Sequence, residues 1–512
     1  MKSNNYVKFI RKELLKGACL SSEIEQKLVS KFKIKLAYAR KIVSISKKTG
    51  EIYYSGLLTF DNGAKGISLT NNNNDYFSLL PEHKTYLQNI FHIMEHNDGI
   101  ISKQDVCKVS ACLLNPSKKY LFFEKVIKEM KYFYQIDEKI YKEQYFYIKH
   151  DCIERFDSII ESIINKKSVE KTFQYSLIMQ FQKINLINSK FIYTNKKMPY
   201  MLIDKHGLYF DCFADSSIRG VSNGFSKNEN TIIVVDCNLL ENYTLSDLDG
   251  FYKRIQQLRN SVNATKRNVL PIILIKNISP EVLLKIKEYK IIVIDIIDSL
   301  GDNFNKLLND YIVINNSKVD QIKSAYIESV LKNLPSAGMW GNIRGDLFEK
   351  LCTLIINDII GLANITEKIE DEKIKVDNKE VEIDYNISTK DETIIFEYKS
   401  GKGEIILGEQ LEDSDKFTNN SILKFFNYSF LLCKQKYASK NCKACFIAAN
   451  GFKGVKSKTT LSNFDNSTIC SQLFKTHYTA KELCEYAKEK NQSGTKKNRE
   501  LIKRYYIEPN KK

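Results

Sequence analysis

Apolar positions recur along this chain in two rhythms. Up to about residue 190 the spacing is mostly three and four, the repeat of an amphipathic helix, with short alternating runs between. Val7, Ile10 and Leu14 give a first helix its stripe, and Ser22-x-x-Glu25 is a capping-box signal that opens a second. A third is expected from about Lys35 to Lys48, with Leu36, Ala39, Ile42 and Val43 inward and Gly50 stopping it. Ile52–Tyr54, Leu57–Phe60 and the turn Asp61-Asn62-Gly63 then predict a two-stranded ribbon. The polar run Thr70–Asp75 reads as a linker, and the same order returns after it. A helix carries Tyr86, Leu87, Ile90, Phe91 and Met94, Ser102-x-x-Asp105 opens a second, and Asn115-Pro116 starts a third. An aromatic ribbon, Tyr132–Tyr147, follows, and Ile159, Ile160, Ile163 and Ile164 mark a helical bridge.

From Phe191 to Phe304 the rhythm changes, with strands expected at Tyr209–Asp211, Thr231–Asn238, Val269–Ile275 and Ile291–Asp295 and helices between them. Such alternation predicts a largely parallel α/β sheet. Without a Gly-x-Gly-x-x-Gly loop a dinucleotide site is not expected there. Ser317–Gly341 reads as a helix and hinge. Beyond it an amphipathic helix carries Leu347, Phe348, Leu351 and Leu354, and two alternating runs follow, Val381–Asp384 and Thr393–Lys399. A further helix from about Ser421 to Tyr437 and a strand Cys445–Ala449 complete the pattern, with the basic loop Asn450–Lys458 beyond and a basic tail from Lys496 that is expected to fray. The expected divisions are 1–70, 77–150, a bridge 151–190, 191–316 and 317–512. The fold class is multidomain, α+β and α/β.

A chain of 512 residues is too long for one hydrophobic core. With 43% hydrophobic and 27% charged residues it belongs with globular proteins and not with disordered ones. A net charge of +17 points to a polyanionic partner, and the first sixty residues concentrate it, with 13 Lys or Arg against 4 Asp or Glu. No apolar run reaches the roughly 18 residues that span a bilayer, so a soluble, cytoplasmic protein without membrane partners is expected. The cysteines lie mostly in apolar segments, as reduced core thiols do. Cys442-x-x-Cys445 alone has metal-ligand spacing, and it lacks a second close pair.

The candidate chemistry sits between Gly341 and Lys402. Strand alternation puts Glu397 and Lys399 on one face, with Ile395, while Ile394, Phe396 and Tyr398 take the other. The polar segment from Asn386 to Glu392 is short enough to turn the chain back as a hairpin, which brings Asp384 beside Glu397. Two such carboxylates can hold Mg²⁺ by hard oxygen ligands, with Mn²⁺ as a substitute, and Glu349 on the preceding helix can add a third. Lys399 can position a water or offset charge on phosphate oxygens. An ion-paired sheet edge is the bland alternative. The arrangement resembles the PD-(D/E)XK, restriction-endonuclease-like nuclease superfamily. The residues that carry the resemblance are Arg344-Gly345-Asp346-Leu347-Phe348-Glu349, Asp384 and Glu397-Tyr398-Lys399, with Ile383 where a proline often stands. It covers roughly residues 338–490 and implies a mixed central sheet flanked by helices, a catalytic set Glu349, Asp384, Glu397 and Lys399, and a metal held by the three acids.

Helix, helix, helix and ribbon in the first 70 residues resemble a winged helix-turn-helix, and residues 77–150 resemble a second. The resemblance implies duplex DNA contact by Lys35, Arg40, Lys41, Lys47 and Lys48 in the first and by Lys118 and Lys119 in the second. A helical interaction or dimerisation module is the alternative for each. The middle segment resembles the nuclease core again, Asp211 standing for the metal aspartate and Asp236-Cys237-Asn238 for the triplet, with asparagine in the lysine's place. A degenerate nuclease-like domain and an unrelated α/β sensor are both open. Taken together, the expectation is a Mg²⁺-dependent DNA endonuclease of restriction or phage-defence type, similar in arrangement to type IIS restriction enzymes. The alternatives are a non-catalytic DNA-binding regulator and a nuclease acting on RNA or on DNA structures. A homodimer for double-strand cleavage and a cognate methyltransferase remain open partners.

Overall fold

A computed structural model describes residues 2–56, 58–60, 63–116, 120–140, 144–148, 156–187, 207–216, 231–262, 268–301, 303–334, 340–377, 379–401, 405–406, 422–453, 473, 475–490 and 493–508. The chain is mixed α+β and divides into two units, Met1–Gly301 and Asp302–Lys512. Among the described residues no helix is long and apolar enough to cross a membrane.

The first unit begins with helices α1 (Lys2–Leu14), α2 (Ser21–Phe32) and α3 (Leu36–Lys48). Ile10, Leu14, Ile24, Leu28, Ala39, Ile42 and Val43 form their shared core. Two expectations need correction. Leu36 faces outward, because α3 starts there and its inward stripe begins one turn later at Ala39. The N-terminus of α2 is closed by Glu23, which accepts the Leu20 N–H at 3.1 Å, while Glu25 pairs with Arg40. The ribbon is also built differently. Strands β1 (Cys19–Leu20), β2 (Tyr53–Tyr54) and β3 (Gly66–Ser68) make a three-stranded antiparallel sheet in which β3 is central, so 66–68 and not 57–60 returns along β2.

The expected linker is no separator. Asn73–Leu79 is a 3₁₀-helix, and Tyr76 is buried with its hydroxyl donating to the Tyr53 carbonyl at 3.2 Å. One apolar cluster joins Leu20, Leu58 and Phe60 to Leu87, Ile90, Met94 and Val126 of the next module. That module contains α4 (Thr85–His96), β4 (Ile100–Ser102), α5 (Lys103–Ser110), α6 (Phe123–Phe133), β5 (Ile136–Ile140) and β6 (Gln144–Ile148), with β6 central in its sheet. Ser102 caps α5 as expected, accepting the Asp105 N–H at 3.1 Å. The third helix starts at Phe123 and not at Asn115-Pro116: the Leu113 N–H donates to the Leu121 carbonyl and the Phe123 N–H to that of Leu113, a bridge that sits immediately ahead of the helix. Lys118 and Lys119 lie outside the described residues.

Helix α7 (Phe156–Lys183) leads into a four-stranded sheet ordered β10-β9-β8-β7, where β7 is Cys212–Asp215, β8 Ile232–Tyr243, β9 Val269–Ile278 and β10 Ile292–Asp295. β7 runs antiparallel to β8, and β8, β9 and β10 are parallel. Helices α8 (Leu245–Val262) and α9 (Pro280–Glu288) connect the parallel strands.

The second unit opens with α10 (Asn303–Asn316) and α11 (Ser324–Asn333). The division falls before α10 and not after it, since the Tyr311 hydroxyl donates to Asp346 at 2.8 Å and the Asp310 carboxylate accepts from Ser329. Helix α12 (Gly341–Ile360) precedes a five-stranded sheet of β11 (Glu367–Val376), β12 (Lys379–Ser388), β13 (Glu392–Lys399), β14 (Asn441–Ala448) and β15 (His477–Thr479), ordered as numbered. β11, β12 and β13 form an antiparallel meander, and β14 and β15 are parallel to β13. The far face is covered by the helical segments Ile422–Lys424 and Phe430–Lys436, joined by a π-turn, Phe425–Ser429. Cys442 and Cys445 are buried three apart on β14, hence on opposite faces, and bind no common ion. The tail does not fray at its start. Helix Lys496–Ile502 continues to Ile507, and the buried Tyr506 hydroxyl donates to the Arg344 carbonyl at 2.6 Å.

Helices α5 and α8 approach so closely that a Cβ on Gly250 would lie 2.5 Å from the Lys108 carbonyl oxygen and 2.7 Å from the Val109 Cα. Backbone cannot yield as a side chain does. Gly250→Ala should therefore destabilise the first unit by about 1–3 kcal/mol, measured as a lower denaturant midpoint. An unchanged midpoint would show that the helices part freely.

Candidate active site

The second unit gathers the four residues singled out for catalysis at one end of its sheet. The ladder between β12 and β13 ends at Tyr385↔Phe396. One residue further, Asp384 replaces the missing strand partner with its side chain, Oδ2 accepting the Tyr398 N–H at 2.7 Å. The hairpin turn is tighter than expected, Thr389–Asp391 alone, so Asp384 lies well inside β12 and not at its end. Lys399 Nζ lies 2.6 Å from Glu397 Oε1 and 3.7 Å from Asp384 Oδ2.

Helix α12 is fixed on the sheet by two phenols. Thr353 donates to the Tyr398 hydroxyl at 3.0 Å and the Tyr385 hydroxyl donates to Asn357 Oδ1 at 2.9 Å, all four groups being buried. Thr353 and Asn357 are four apart, so Glu349 and Gly345 continue the same stripe toward the end of the sheet where Asp384 lies.

The electrostatics follow from crowding acids in a poorly hydrated place. Burial, then the Asp384 and Asp346 carboxylates, push Glu349 up to about 9 against the pull of Lys399. Burial and Asp384 push Glu397 up to about 7. Burial disfavours the Lys399 ammonium, but Glu397 and Asp384 outweigh it and hold its pKa above the ordinary range. Lys350, Glu370 and Asp371, which the sequence did not single out, form a flanking group with Asp346 of the helix motif. Lys350 stands 3.5 Å from Asp346 and 3.6 Å from Glu370, and burial with Asp346 raises Asp371 to about 6. The signal for Asp371 is conformational: its φ of 48° puts it in the left-handed region opposite Asp384, where the β11–β12 ladder skips a pair.

Glu349, Asp384 and Glu397 are hard oxygen donors of the kind a divalent cation takes, and the upward shifts of Glu349 and Glu397 follow from burial and neighbouring carboxylates alone. Among the described residues, however, no three His, Cys, Asp or Glu side chains converge as a metal ion requires. Two of the acids here contact the Lys399 ammonium instead.

In the first unit, Lys35, Arg40, Lys41, Lys47 and Lys48 all lie exposed on or beside α3. Arg40 Nε is 3.3 Å from Glu25, and Lys47 covers the Tyr54 ring at 4.4 Å. Leu36, Tyr38 and Ile45 are exposed beside them, making a face at once cationic and apolar.

A carboxyl whose pKa rises on folding holds its proton more tightly in the folded chain. Its contribution is complete below the ordinary value of 4.5 and is lost as pH rises through about 7 for Glu397 and about 9 for Glu349. In EDTA the second unit should thus lose stability between pH 5 and 9. Glu349→Gln should recover on the order of 1 kcal/mol at pH 8 and nothing at pH 4. Equal melting curves for wild type and variant at pH 8 would refute this account.

Comparison with protein families, with curated proteins and with solved structures finds no match for the chain.

Proposed function

We propose that this protein is a Mg²⁺-dependent DNA endonuclease of the PD-(D/E)XK type, of restriction or phage-defence character, with winged-helix recognition modules in its first unit. The reading rests on one observation: Asp384, Glu397 and Lys399 meet where two strands part, beside the helix that carries Glu349. A mixed sheet flanked by helices is the frame this resemblance implies.

In this reading Asp384 and Glu397 hold the cation and Glu349 adds an outer ligand. Bound there, Mg²⁺ would lower the pKa of a water and offset charge on the departing oxygen. Lys399 moves from its pairing with Glu397 to the scissile phosphate and stabilises charge developing on its oxygens. The exposed cations of α3 hold the duplex by its phosphates, and Tyr38 and Ile45 are free to meet base edges or methyls.

The rival reading, a DNA-binding regulator whose acids form a closed ion-pair cluster, is favoured by the 2.6 Å Lys399–Glu397 contact. Plasmid incubated with the full chain and Mg²⁺, against EDTA, separates the two. Cleavage should need the metal, and Asp384→Ala should slow it at least about 10³-fold with Lys399→Ala costing about 10²–10³-fold. A wild-type rate in Asp384→Ala would sink the assignment. Independently, Arg40→Ala with Lys41→Ala should weaken duplex binding across sequences and reduce the salt slope by about 2. An unchanged slope would move α3 from DNA to protein contact.

A further inference from the structure

The first unit holds a second cluster of buried charge, and its backbone frame matches that of the second unit residue for residue. In the second unit Asp384 precedes Tyr385, whose ladder partner is Phe396, and its carboxylate accepts the N–H two residues on, at Tyr398. In the first unit Asp211 precedes Cys212, whose partner is Val235, and its carboxylate accepts the N–H two residues on, at Cys237, also at 2.7 Å. The acid between partner and donor is Glu397 in one and Asp236 in the other. The strand order is shared as well: an antiparallel pair, then two parallel additions. Each set has a glutamate on the helix that comes before the pair, Glu349 on α12 and Glu170 on α7. Glu170 Oε1 accepts the Leu239 N–H at 2.7 Å, so the helix glutamate that the sequence hid is present.

The two differ in what faces the acids. Asn238 stands where Lys399 would, and the ammonium comes instead from α5 of the preceding module. Lys108 Nζ lies 2.6 Å from Asp211 Oδ2 and 3.4 Å from Asp236 Oδ1, against 3.7 and 2.6 Å for Lys399 with Asp384 and Glu397. Arg254 Nη2 shares Asp236 Oδ1 with Lys108, at 3.1 Å, and the Tyr243 hydroxyl donates to Oδ2 at 3.1 Å. Asp211, Asp236 and Arg254 are buried, and α5 covers them. Two cations thus face three acids in the first unit, an excess of one acid, against one cation for three acids in the second, an excess of two. More of the charge that would draw a divalent ion is answered from within the chain.

We infer that the α/β part of the first unit is a second copy of the second unit's acid site, in which the Lys108 ammonium takes the cation's place and the site binds helix α5 of its own chain. The bare approach of α5 to Gly250 and the donation of Gln257 Nε2 to the Ala111 carbonyl at 2.9 Å seat the same helix on the same domain. Such a site has no access for a phosphodiester. Its product is a rigid join between the second helical module and the sheet behind it.

The test uses the full chain, with amide hydrogen exchange read on Lys103–Ser110 and Mn²⁺ binding read by titration. Lys108→Met and Asp211→Asn should each speed exchange of this helix roughly tenfold, and the double variant should add little, because the two residues act as one pair. Lys108→Arg, which keeps the charge, should retain most of the protection. Mn²⁺ stoichiometry should be the same in wild type and Asp211→Asn and should fall in Asp384→Asn. Additive exchange effects, or loss of a bound Mn²⁺ in Asp211→Asn, would overturn the inference. If no Mn²⁺ binds to any form, the metal reading of the second unit fails, while the exchange data still decide the role of Lys108.

Discussion

The second unit depends on one substitution of partners: where the β12–β13 ladder runs out, a carboxylate and not a carbonyl accepts the next N–H. A sheet loses a backbone partner wherever two strands part, and a buried N–H left over costs about as much as a lost hydrogen bond. Asp384 meets that cost at its own position. The strands are then free to separate just where Glu397 and Lys399 emerge, and the acid that permits the separation stays beside them. Helix α12 closes the arrangement from the other side, fixed by the hydroxyls of Tyr385 and Tyr398, the residues that flank the parting. The crowding of carboxylates, and their reluctance to ionise, follow from that geometry.

Much of this was legible because it is local. Alternation placed Glu397 and Lys399 on one face, and a short polar turn brought Asp384 back to them. Ser102 announced α5 by a contact three residues away. Composition misled where burial decided: the asparagine run read as a linker, yet Tyr76 just beyond it sits in the core shared by the two helical modules. The lysine-rich tail read as fraying, yet Tyr506 packs its ring 5.0 Å from Phe348 on the helix that carries Glu349. Lys108 and Glu170 had no local signal at all. Their partners lie 103 and 69 residues away, and neither belongs to a motif whose spacing could advertise it.

The middle sheet shows how much one residue type changes a frame. Asn238 keeps a ladder partner, Ile275, with the register shifting just beyond it, since the strand needs only its peptide groups to pair. What changes is the sign of the charge left over, and a neighbouring helix can supply that from a distance in sequence that no motif records.

Gly345 gives α12 a mechanical character. A Cβ there would come within 3.2 Å of the Ser400 hydroxyl, so at this end the helix meets the chain just past β13 through that one side chain. Its other support is Thr353 against Tyr398, about 12 Å along the axis at the usual rise. Glu349 rides midway between the two, like a load on a beam. Bulk added at residue 345 would lift one end while Thr353 acts as the fulcrum, raising Glu349 by about half that displacement. The reach of one carboxylate is set by the thickness of a residue that never touches it.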